Sequence, residues 1–142
     1  MTKTATPKTR TITMTDRPPV TVAEDAWPII AAGSADHDDS DGRGNPPNRR
    51  WTRMIRVRQH ADGRAIVYGV YGYATNHQGE PDAAARRGYV VGADLIIEHI
   101  REVGDELAEA ESDADIDDMR KDVHQWRVAV QECIASLPAE EL

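Results

Sequence analysis

The chain has 142 residues, a formal net charge of −8 and 39% apolar residues, enough for one compact core and too many for wholesale disorder. Its acidity disfavours generic attraction to nucleic acid or an anionic membrane, and no apolar run approaches the length of a membrane span. Cys133 stands alone, which excludes an intramolecular disulfide and fits a reducing compartment.

Residues 1–19 are rich in Thr, Pro and basic residues and read as a disordered basic tail, followed by a single α+β domain over 20–142. The first eight residues lack the apolar stretch of a signal peptide, so a cytoplasmic location in a bacterial host cell is expected. Thr21-Val22-Ala23-Glu24 has capping-box spacing and precedes Trp27, Ile29 and Ile30, which predicts a short N-terminal helix around Pro28. Residues 33–50 carry breaker residues throughout and read as a loop.

Two runs rich in β-formers follow, Trp51–His60 and Ala65–Tyr73, flanking Ala61-Asp62-Gly63-Arg64. Asp-Gly suits a two-residue hairpin turn, which pairs Ala61 with Arg64 and each residue outward in step. That register gathers Trp51, Ile55, Val57, Ile66, Tyr68 and Val70 on a core face. Arg56, Arg58, Tyr71 and Tyr73 then share an outward face. After a polar loop at 75–87, Gly88–Val91 reads as a short third strand. Asp94 is a plausible N-cap for a helix to about Leu107, bearing Ile96, Ile100, Val103 and Leu107 on one face, with Gly104 weakening or ending it. Ile116, Met119, Val123, Trp126, Val130, Cys133 and Leu137 then recur at steps of three and four, up to Pro138. The expected fold is therefore a three-stranded antiparallel sheet (hairpin 51–75 plus strand 88–91) packed on C-terminal helices. The three Trp residues are expected as buried anchors, because the chain has no Phe.

Charge is segregated: residues 43–64 carry a net +6 and residues 94–142 a net −11. Asp36–Gly42 resembles a calcium loop in its alternating carboxylates. Counting from Gly42 as the sixth position, however, puts Asn48 where the bidentate carboxylate belongs, so a solvated acidic loop is the better reading. The five His residues lack metal-ligand spacing, and the glycines form no phosphate-binding fingerprint; they read instead as strand kinks or places of close backbone approach. No catalytic residue, metal or cofactor is expected.

Two surfaces are candidates for a partner. Arg56 and Arg58 with Tyr71 and Tyr73 have the composition of a nucleic-acid or protein contact. Glu106, Glu109, Glu111 and Asp113 suit a decoy surface that mimics phosphate spacing. The heptad-like stripe over 116–137 is a possible homodimer seam. The stretch His60–Val70, with Asp25-Ala-Trp-Pro28 upstream and Leu137–Leu142 at the end, resembles small proteins carried on bacterial mobile elements such as prophages, plasmids and integrative islands. That resemblance implies an accessory factor or an inhibitor of host defence, anti-CRISPR proteins among them. The expected function is a non-enzymatic protein-binding module, with weak nucleic-acid binding through the Arg/Tyr face as the alternative.

Overall fold

The structure, a computed structural model, describes residues 8–39, 49–74, 82–113 and 122–139, with the side chains at 36–39, 49–51, 73–74 and 82–84 outside that description. Six strands precede two helices: β1 (Thr9–Ile12), β2 (Val20–Ala23), β3 (Ile29–Asp39), β4 (Arg49–Gln59), β5 (Ala65–Ala74), β6 (Asp82–Val91), α1 (Ile96–Asp113) and α2 (Gln125–Ala135). β1 and β2 form a two-stranded antiparallel sheet, and β3-β4-β5-β6 form a four-stranded antiparallel meander.

The fold is α+β, but the expected single three-stranded sheet is wrong. The segment read as a short helix supplies β2 and the start of β3 instead. Val20 and Val22 alternate at strand spacing, and the Thr21 hydroxyl lies 3.0 Å from that of Thr11 across the pair. The segment read as a loop over 33–50 continues β3 to Asp39 and opens β4 at Arg49, while β6 begins at Asp82, inside the second expected loop. Residues 8–19, assigned to the tail, contain β1 and place Ile12 and Met14 in a core; residues 1–7 lie outside the described residues.

The hairpin turn differs from the expected one by a single residue. Gly63 N–H donates to the His60 carbonyl (2.9 Å), and His60 N–H donates to the Arg64 carbonyl (2.9 Å). The loop is thus Ala61-Asp62-Gly63, closed by Gly63 at φ +96°, the left-handed position that ends a three-residue hairpin loop. His60 rather than Ala61 stands opposite Arg64, so Val57 faces Val67 and Arg58 faces Ile66. Because side chains alternate, this slip moves all of β5 to the other face relative to β4.

Both faces of the four-stranded sheet are covered. On one, Ile55, Val57, Val67 and Tyr71 pack with Ile100, Val103 and Leu107 of α1 and with Trp126, Ala129 and Cys133 of α2. On the other, Met54, Ile66, Tyr68 and Val70 pack under Ile12, Met14 and Val22 of the β1–β2 layer. Glycines set two of the closest approaches. A Cβ at Gly33 would lie 2.0 Å from the Ala129 carbonyl oxygen of α2, and one at Gly69 would lie 2.5 Å from Leu107 Cδ1 of α1. α1 continues nine residues past Gly104, because there too the missing side chain admits a neighbour: a Cβ would meet Val130 Cγ2 at 2.4 Å. α2 begins at Gln125, and Ile116 and Met119 of the expected stripe lie outside the described residues.

Candidate functional site

The turn end of the sheet is organised by the β2–β3 connection. Ala26 and Trp27 N–H both donate to the Ala23 carbonyl (3.1 and 3.0 Å), a tight reversal that turns Trp27 back over the hairpin loop. Arg58 Nη1 donates to the Trp27 carbonyl (3.0 Å), and Gln59 N–H donates to that of Pro28 (3.1 Å), which ties the connection to β4. The Trp27 ring then lies 5.0 Å from the His60 ring and 5.4 Å beneath the Arg64 guanidinium. Asp62 links the group: its carboxylate lies 3.2 Å from His60 Nδ1 and 2.8 Å from Arg64 Nη2. The hydrogen bond from the Arg64 side chain, with a second from its backbone, holds the Asp62 carboxyl down at about 2.

From this aromatic and charged cluster an apolar trough runs across the end of the sheet. Its first concavity, about 600 Å³, is lined by Pro28, Ile30, Gln59, His60 and Ala61 among others. A second, about 590 Å³, shares Ile30 and Gln59 with it and continues over Ile96, Ile97, Ile134 and Leu137. Ile97, one of its lining residues, is left open at 42% exposure.

The residues singled out from sequence are not brought together. Arg58 is buried, with Nε donating to the Tyr68 hydroxyl (3.2 Å), on the face covered by β1–β2. Tyr71 is fully buried on the opposite face, where burial, reinforced by the Glu111 charge, pushes its hydroxyl well above the usual tyrosine range. Arg56 is half-buried, and the Tyr73 side chain lies outside the described residues. The expected outward Arg/Tyr face is therefore not formed as a unit; the register slip separates its members.

The acidic set divides likewise. Glu109 and Asp113 are exposed on α1. Glu106 is half-buried and accepts a 2.5 Å hydrogen bond from the Tyr89 hydroxyl, whose own ionisation is pushed up to about 12 by burial and by that carboxylate. Glu111 is completely buried. It accepts Arg53 Nε and Nη2 (2.6 and 2.9 Å), Trp126 Nε1 (3.1 Å) and Asp122 N–H (2.8 Å). This fork joins β4, α1 and the start of α2, so Glu111 is part of the interior rather than of a decoy surface.

Of the expected dimer stripe, Trp126 and Cys133 are spent on the chain's own core, where burial raises the Cys133 thiol to about 12. Of the other tryptophans, Trp27 is half-buried and the Trp51 side chain lies outside the described residues. Among the described residues, no group of three or more His, Cys, Asp or Glu side chains is placed to hold a metal ion, and no helix is long and apolar enough to cross a membrane. The calcium-like stretch Asp36–Gly42 falls on side chains outside the described residues.

In comparisons with protein-family models, with curated proteins and with solved structures, nothing matches this chain.

The sequence carries one signal for the trough. Ile96-Ile97 is an adjacent apolar pair, and an element with a single buried face can hide only one of the two. Arg53 and Glu111 had a signal too. Each continues an apolar series, Arg53 at strand spacing with Ile55 and Val57, and Glu111 at helical spacing after Leu107.

Proposed function

We propose that this protein acts by binding another protein, through the apolar trough and the Trp27–His60–Arg64 cluster at the turn end of the sheet. The observation that carries this reading is continuity. Two concavities share Ile30 and Gln59, and Ile97, which lines the second, stays largely exposed. Contiguous apolar surface with a polar rim is the mark of an interaction site, and Trp and Arg are the residue types that most often dominate binding energy. The resemblance to mobile-element proteins makes a host defence or nucleic-acid-handling complex the first partner to seek. In that role the protein is an accessory or inhibitory factor rather than a catalyst.

The test is affinity capture from a lysate of the encoding organism, using wild type and the Ile97→Asp variant side by side. A partner retained by wild type and lost from the variant is the expected result. Identical co-purifying proteins on both columns, with both forms folded by circular dichroism, would overturn the reading.

A further inference from the structure

A second surface, on the opposite side of Ile134 from the trough, has a different chemistry. Glu111, near the end of α1, holds Asp122 N–H and Trp126 at the start of α2, so the two helices run antiparallel. They cross closely at Gly104, where a Cβ would meet Val130 Cγ2 at 2.4 Å. Above that crossing lies an open cleft of about 480 Å³ whose apolar lining includes Ala108, Val123, Val130 and Ile134. This volume is in the range of formed binding sites.

The charges around the cleft run against those of the molecule. The chain carries −8 overall, yet the cleft is lined by Arg101 and Arg127 against Asp105 alone. Arg101 and Arg127 are both exposed, and among the described residues neither makes an ion pair or hydrogen bond. Arg101 precedes Gly104 by three residues and Arg127 precedes Val130 by three. In antiparallel helices these positions fall on opposite sides of the crossing, about 9 Å apart along the cleft at 1.5 Å per residue.

We propose that this cleft is a docking site for an amphipathic, acidic helix of a partner protein. Two carboxylates at i and i+7 of a helix lie about 10 Å apart on one face, matching the two arginines. Apolar residues at i+3 and i+4 then fall between them, over Val130. An extended peptide fits less well, because residues three apart on a strand point to opposite faces. Asp105 excludes an acidic residue from the centre of the occupant. The recognition mode is helix in groove, with specificity supplied by rim charges. It does not rest on the trough, and the two sites are separable by mutation.

The experiment is selection of displayed random 16-residue peptides against the full-length chain, with recovered peptides measured by fluorescence anisotropy. Enrichment of an acid-x-x-apolar-apolar-x-x-acid pattern is expected. Its affinity should fall by about tenfold or more for the Arg101→Glu/Arg127→Glu variant and by a smaller factor for the double alanine variant. It should be unchanged for Ile97→Asp, because Ile97 lines the trough and not the cleft. Both arginines are on the surface, so these variants fold, and circular dichroism checks it. The proposal is overturned by no enrichment, by enriched peptides lacking the acidic pair, or by equal affinity for the charge-reversed variant. A dimer in sedimentation equilibrium that Val130→Asp dissociates would also overturn it, by assigning the cleft to a second copy.

Discussion

Glu111 shows how one carboxylate can hold three elements. Four donors converge on its two oxygens: both arms of the Arg53 fork, the Trp126 indole and the Asp122 amide. A charge so deep is tolerable only when its hydrogen-bonding capacity is met, and here it is. Removing one partner leaves the other charge buried without compensation. Glu111→Ala should therefore destabilise the fold by about 3–5 kcal/mol, seen as a lower urea midpoint. Arg53→Met with Glu111→Leu should recover much of that loss, because it removes both charges together. If Glu111→Ala unfolds at the wild-type urea concentration, the fork contributes nothing to stability.

At the scale of elements, one of the closest approaches between layers is made by backbone itself. β3 lies so near α2 at Gly33 that a methyl group there would collide with the Ala129 carbonyl, and backbone cannot rotate away as a side chain can. Gly63 differs: it has a left-handed φ of +96° but nothing within 4 Å of a Cβ. Gly33→Ala should thus cost the upper end of about 1–3 kcal/mol, or more. Gly63→Ala should cost only about 1 kcal/mol, the strain of the left-handed conformation. Equilibrium denaturation of the two variants checks the order; the reverse order would mean that α2 is free to shift on the sheet.

The same elements show what was legible in the sequence. α1 and the β4–β5 hairpin were, because their apolar residues keep a clear helical period or a run of β-formers. β3 and β6 were not. His37, Asp38 and Asp39, like Ala83, Ala84, Ala85, Arg86 and Arg87, have little intrinsic strand preference, and the sheet places both segments at its edges, where charge is tolerated. The hairpin register was illegible for another reason. Ala65–Tyr71 is buried on both faces, so its pattern could not say which way it faced, and Asp-Gly serves a three-residue loop as readily as a two-residue one. From that ambiguity came the apparent Arg/Tyr surface, since a slip of one residue was enough to assemble it.

Across the whole molecule, the N-terminal segment is structural cover. Ile12, Met14 and Val22 shield Met54, Ile66, Tyr68 and Val70, and Thr15 N–H donates to the Gly88 carbonyl at 2.9 Å. Deleting residues 1–24 should expose that apolar face, with strong binding of the dye ANS and loss of a single cooperative unfolding transition. A truncated chain that unfolds like wild type and binds no dye would return this segment to the status of a tail.

The layered arrangement also sets the order in which the chain can acquire structure as it is made. β1 and β2 leave the ribosome first, yet the surface they cover does not exist until β4, β5 and β6 have followed. The other face waits longer, for α2. Its end is joined to β3 by a 2.9 Å hydrogen bond from Ala32 N–H to the Ser136 hydroxyl, across 104 positions of chain. Pairings that distant fold slowly, and synthesis proceeds at roughly 5–20 residues per second. The sheet thus spends its synthesis uncovered on at least one side, with its apolar strand faces open until the last helix has been made.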